Sequence, residues 1–172
     1  ILEDISDKDN LMRIHNKIVE ITSDYLGNSI EDRSHYLDHI HDRISASKLN
    51  DFRLHVFHQI NGEDWFRVVY YKLAKCLLDT IVGNELAMQL RVNLSIQLPN
   101  DDGSLLPVHA DVWSGDSPFE VVVWLPLVDC YGSKTMYLLP PSSTKKLYEN
   151  SNELIGRSSE DLFRLIEKDL HW

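Results

Sequence analysis

The heptapeptide PVHADVW, Pro107 to Trp113, sets an imidazole and a carboxylate on alternate residues, His109 and Asp111. In an extended chain, residues i and i+2 point to one face. The two side chains then project together, with Ala110 turned away. A neutral imidazole nitrogen beside a carboxylate oxygen fills two positions of a metal site. One more His from another strand would complete the two-His, one-carboxylate face that holds Fe(II) in non-haem oxygenases. On spacing alone, a surface pair, or a His oriented by the Asp, is the plainer account.

Other groups compete for a chemical role. His35 and His39 in HYLDH are four apart, and a helix would stack them with His41 close by; without a Glu after the first His this is not a zinc-protease motif, and a polar helix face is the simpler reading. His55 and His58 in LHVFHQI fit half-buried core positions or the mouth of a site. No P-loop, GxGxxG, GxSxG or CxxC is present, which removes the common nucleotide, hydrolase and redox-motif readings.

The elements that must position these residues change character along the chain. Asp7 to Leu26 carries Leu11, Ile14, Ile18, Ile21 and Tyr25 at helical steps, and Gly27-Asn28 ends it. Ser29, with Asp32 three residues on, predicts a capped helix to about Ser47. Leu49 to Ile60 is open between strand and helix. Glu63 to Val82 predicts a helix with a broad stripe of Trp65, Val68, Val69, Lys72, Leu73, Cys76, Leu77 and Thr80, closed by Gly83.

From Arg91 the period becomes two. Val92, Leu94, Ile96 and Leu98 face one way; Arg91, Asn93, Ser95 and Gln97 face the other. Leu105 to Asp111, the doubly apolar Phe119 to Val128, and Lys134 to Leu139 predict three further strands. Ser142 to Tyr148 and Ser159 to Lys168 read as helices. Helices followed by antiparallel-type strands predict an α+β fold in one domain: a helical layer over residues 1–87, then β structure with a helical insert over 88–172.

The totals narrow the partners. Of 172 residues, 43% are hydrophobic and 26% charged, an ordinary globular balance, and the formal net charge is −10. That charge argues against nucleic acid or an anionic membrane as the main partner. No apolar run reaches membrane-spanning length, and no secretory signal pattern opens the chain. Two cysteines, Cys76 and Cys130, are expected as reduced thiols, and the cytoplasm is the expected compartment.

The run from Gln97 to Lys145 resembles the first half of the double-stranded β-helix, or jelly-roll, core of the phytanoyl-CoA dioxygenase-like family of Fe(II)/2-oxoglutarate oxygenases. That family's order is a strand ending near Gln-x-Pro, a loop, His-x-Asp, an apolar strand containing Trp, and a strand ending Pro-Gly-Ser-His. Here Gln97-Leu98-Pro99, His109-Ala110-Asp111, Val121 to Leu127 with Trp124, and Met136 to Ser142 match it. Pro140-Pro141-Ser142-Ser143 departs from the last motif, and Lys134 stands where the family often has Gly. The likeness is greatest to a subgroup associated with sugar and surface-polysaccharide gene clusters.

The resemblance implies N-terminal helices packed on a cupin-like jelly roll, with Fe(II) and 2-oxoglutarate as cofactors and O2 as co-substrate. It implies His109 and Asp111 as metal ligands and a sugar-like small molecule as substrate. The presence of Asp111 implies a hydroxylase or oxidative cyclase rather than a halogenase. The second metal His and the 2-oxoglutarate-anchoring Arg of the family lie on later strands. They are expected beyond Trp172, His171 being a poor match, so that the core is incomplete at the C-terminal end.

Around the pair, Gln97, with Asn93 and Ser95 on its face, is a candidate to donate to 2-oxoglutarate or orient a ligand. Arg91 can bind a carboxylate bidentately. Trp113 can wall a sugar site, with Ser114, Asp116 and Glu120 as hydroxyl binders. Solvent-facing roles are the alternative for the polar residues, and a core or rim position for Trp113. Two other functions stay open: a cupin-like metal-dependent sugar isomerase or epimerase using His109 as acid/base, and a non-catalytic binding module.

Overall fold

The computed structural model describes residues 5–101, 109–136, 138–142, 144–145 and 164. The chain divides into two compact units, Ile1–Ser104 with Leu125–Asp129, and Leu105–Trp124 with Cys130–Trp172.

The first unit is built on three helices. Helix α1, Lys8–Leu26, begins where the Asp7 carboxylate accepts the Asn10 N–H at 3.1 Å. It ends at Gly27, whose φ of 66° is costly for any residue with a Cβ, and there the N–H groups of Gly27 and Asn28 satisfy the last carbonyls. The predicted stripe holds at Ile14, Ile18 and Ile21, which are buried together with Val19.

The helix predicted from Ser29 does not form. Asp32 accepts the Ser34 N–H at 2.9 Å in a local turn, a bond that competes with a capping box. Only a 3-10 helix, Leu37–Asp42, follows, kinked at His39 and anchored by buried Tyr36, Leu37 and Ile44.

The ambiguous segment is helix α2, Ala46–Gly62, with Leu49, Phe52, Val56 and Ile60 buried at helical spacing. Helix α3, Phe66–Val82, buries Phe66, Val69 and Leu78. Its inward stripe is narrower than the sequence predicts, because Val68, Cys76 and Thr80 are exposed. Helix α1 packs on both α2 and α3. A polar clasp ties the α2–α3 turn to α1: Lys17 pairs with Glu63, the Trp65 indole N–H donates to Glu63 at 2.8 Å, and the Arg13 guanidinium lies 3.9 Å from the Trp65 ring centre. Lys17, then Trp65, hold the Glu63 carboxyl below its usual pKa.

The described residues do not form the expected jelly roll: among them there is no strand and no sheet, so this part of the chain is helical rather than α+β. Arg91 to Leu98 keeps the predicted alternation. Val92 is buried and Leu94, Ile96 and Leu98 pack on the helical core, while Arg91, Asn93, Ser95 and Gln97 are exposed. What it lacks is a neighbouring strand, without which alternation specifies only a half-buried extended chain.

Side chains take the place of the ladder. Asn61 on α2 accepts the Val92 N–H at 2.8 Å and donates to the Val92 carbonyl at 3.0 Å, and Arg67 donates to the carbonyls of Met88 and Gln89 at 2.7 and 2.8 Å.

Phe119 to Val128 divides in two. Leu125, Leu127 and Val128 pack on the core of the first unit, and Phe119, Val121, Val122 and Trp124 are exposed. In place of a strand from Lys134 there is a 3-10 turn, Gly132–Lys134, and the described residues that follow it form no strand. Leu105 to Val108 and most of the two predicted C-terminal helices lie outside the described residues, though 141–142 and 144–145 are helical. Among the described residues no helix is long and apolar enough to cross a membrane.

Candidate functional site

His109 and Asp111 lie in the second unit. The short strand predicted for them is corrected to an extended Ala110 followed by a 3-10 helix, Asp111–Ser114. Gly115, at φ 99°, closes this turn, and the Asp111 carbonyl accepts the N–H groups of Gly115 and Asp116. The turn brings the pair together by a different route from the pleat. His109 Nε2 and Asp111 Oδ1 are 3.6 Å apart, with the side chains 40% and 47% exposed.

Two atoms sharing one first-row metal at bonds of about 2.0–2.2 Å stand roughly 3–3.5 Å apart. The pair therefore fits a shared ion with a small side-chain rotation, and its donor set, one nitrogen and one carboxylate oxygen, suits Fe(II) or Zn(II). If the imidazole is protonated instead, the same contact is an exposed ion pair worth at most about 1 kcal/mol. Among the described residues no third His, Cys, Asp or Glu joins them. His171 lies outside the described residues.

The other candidates are placed differently. Arg91, Asn93, Ser95 and Gln97 belong to the first unit, all with exposed side chains. Trp113 and Ser114 lie within the turn that follows Asp111, and Asp116 and Glu120 are exposed. His55 is half-buried, as one of the expected placements had it, and packs beside the Tyr25 ring at 4.9 Å, whereas His58 is exposed against Phe57. A shallow cleft of about 370 Å³ in the first unit is lined by His41, Ile44, Leu98, Asn100 and Asp101, among others.

The HYLDHIHD segment departs from the expected helical stacking of His35 and His39. In the 3-10 helix, side chains three apart eclipse. His35 stands just ahead of the helix, in a turn where the Asp38 N–H donates to its carbonyl at 3.1 Å, and its Nδ1 lies 3.7 Å from Asp38 Oδ2; His39 Nδ1, at the kink, lies 3.4 Å from Asp42 Oδ2. Asp129 joins the first of these pairs, its N–H donating to Asp38 Oδ1 at 3.2 Å. Ligand atoms of His35, Asp38 and Asp129 all fall within 4.8 Å of one another. The density of His and Asp in HYLDHIHD was the available sequence signal; no spacing rule reaches Asp129. No protein-family model, curated protein or solved structure matches this chain.

Proposed function

We propose that His109 and Asp111 are two protein ligands of a non-haem Fe(II) centre, in a 2-oxoglutarate-dependent oxygenase of the hydroxylase type that acts on a sugar-like metabolite. The observation that supports this reading is the convergence of Nε2 and Oδ1 at 3.6 Å on a turn whose backbone bonds fix Asp111. The motif order from Gln97 to Ser142 supplies the choice of reaction. The reading rests on the pair and the motif order, not on a jelly roll, and it requires a further imidazole from outside the described residues.

The chain's own part is definite. His109 must be neutral to present a lone pair. The Asp111 carboxylate offsets one of the ion's two charges. Fe(II) with 2-oxoglutarate, when bound, supplies the O2-dependent oxidation. Trp113, in the turn that follows Asp111, is the candidate sugar wall.

Anaerobic titration with Fe(II) and 2-oxoglutarate tests the reading through the visible charge-transfer band of the chelate. A band in the wild type that Asp111→Ala abolishes supports it, and no band from the folded wild type overturns it. The open placement of the pair favours a second reading, metal-dependent binding without oxidation. Succinate release in air separates the two.

A further inference from the structure

The cluster of His35, Asp38 and Asp129 belongs to the first unit and owes nothing to the His109–Asp111 pair. Its three residues are held by independent parts of the fold. Buried Tyr36 and Leu37 fix the start of the 3-10 helix, which sets His35 and Asp38 on one side. Leu125, Leu127 and Val128, packed on the helical core, fix the approach of Asp129. Asp38 is the inner member, its side chain only 14% exposed, while His35 and Asp129 are exposed and can swing. A backbone contact already ties the two segments at this point: the Asp129 N–H donates to Asp38 Oδ1 at 3.2 Å. Nitrogen and carboxylate donors thus gather around one half-buried acid in a chain of net charge −10.

From this geometry we infer that His35, Asp38 and Asp129 form a binding site for a divalent transition metal of the Zn(II) class, which staples the segment Leu125–Asp129 to the 3-10 helix. Magnesium and calcium prefer all-oxygen sites, whereas one imidazole with two carboxylates suits the borderline first-row ions, among which Zn(II) outranks Fe(II) and Mn(II). The present spread of up to 4.8 Å exceeds that of a filled site by about an ångström or more, a closure within reach of the two exposed side chains. The metal relieves the repulsion of two neighbouring carboxylates. It also closes a loop across 91 positions of sequence, so its effect concentrates on the late segment it captures.

Zn(II) calorimetry on the whole chain at pH 7.5 tests this, in an Asp111→Ala background so that the other pair takes no part. The expected result is one equivalent of Zn(II) bound, with Mg(II) giving no heat. Adding His35→Gln or Asp129→Asn, both at exposed positions, weakens Zn(II) more than tenfold, since even residues behind the ligands of metal sites cost about 10–100-fold. Hydrogen exchange at residues 125–129 slows on Zn(II) addition in the parent and not in either variant. No Zn(II) binding in the Asp111→Ala background, or affinity unchanged in both variants, overturns the site. Unchanged exchange at 125–129 with metal bound overturns the stapling. Because Asp111 is already gone, these outcomes leave the oxygenase reading untouched.

Discussion

Two extended apolar segments invite comparison, Arg91 to Leu98 and Phe119 to Trp124. Both carry the β-branched residues that suit a pleated surface, and the second adds the aromatics Phe119 and Trp124. The first has a helical layer to lie on and an amide side chain, Asn61, that bonds its backbone from both sides at Val92. The second keeps Phe119 88% and Val122 63% exposed. Burying a side chain of that size stabilises by about 1.5–3 kcal/mol, a gain these positions do not take. Sequence pattern therefore states what a segment is able to bury; the surface it meets decides whether it does.

Core and exposed aromatics give the comparison its largest test. Phe52 is fully buried between the helices. Phe52→Ala is expected to cost about 3–5 kcal/mol in urea unfolding, and Phe119→Ala less than about 0.5 kcal/mol. Equal losses would break the comparison by showing that Phe119 is covered in solution.

Asn61 is the next lever. Asn61→Ala removes three hydrogen bonds, to the Val92 N–H, the Val92 carbonyl and the Phe57 carbonyl. Leaving those half-buried backbone groups unmet is expected to cost about 1–3 kcal/mol. Hydrogen exchange at the Val92 amide should speed up more than at helical amides of α1. Asn61→Asp sharpens the result, since it keeps an acceptor for the Val92 N–H and loses the donor to the carbonyls.

Legibility from sequence follows the same line. Helix α1 was readable because its stripe and the Gly27-Asn28 stop agree, while the Asp7 cap emerged only from the structure. Helix α3 was readable in its end at Gly83, though it starts at Phe66 rather than Glu63, and not in its buried face, because Val68 and Cys76 lie outside what α1 and α2 can cover. The alternation of Val92, Leu94, Ile96 and Leu98 was right about facing and wrong about sheet, since local pattern cannot reveal whether a second strand arrives. Ser29 and Asp32 had capping-box spacing, yet Asp32 bonds Ser34 instead. For the site, His109 and Asp111 were legible as a pair, although a turn rather than a pleat brings them together. Asp129 was not legible as a neighbour of Asp38, because only packing of Leu125, Leu127 and Val128 puts it there.

Acid should divide the two regions less sharply. Burial pushes the His15 pKa below its ordinary value; Asn16 and Asp38 pull it back up in part, and Arg33 lowers it further. A depressed His binds fewer protons in the folded state than in the unfolded one. Stability is then full above about pH 6.5 and falls as the pH drops below that value, until the folded pKa is reached. His15→Gln is expected to flatten the melting temperature between about pH 6.5 and 5, while loss from Glu63, also depressed, sets in only in the carboxylate range. An unchanged slope in His15→Gln would place the acid sensitivity elsewhere.

The smallest effect on stability is expected where the chemistry is assigned. Asp111 is nearly half exposed, and its carboxylate meets His109 at the long distance of 3.6 Å. Asp111→Ala should therefore change the unfolding free energy by less than about 0.5 kcal/mol. The backbone bond from the Asp116 N–H to its carbonyl survives the change. A residue that contributes so little to folding, yet stands beside an imidazole on a fixed turn, is free to be specified by ligand binding. A loss above about 1.5 kcal/mol would show instead that Asp111 is part of the unit's framework, and its pairing with His109 would need no metal to explain it.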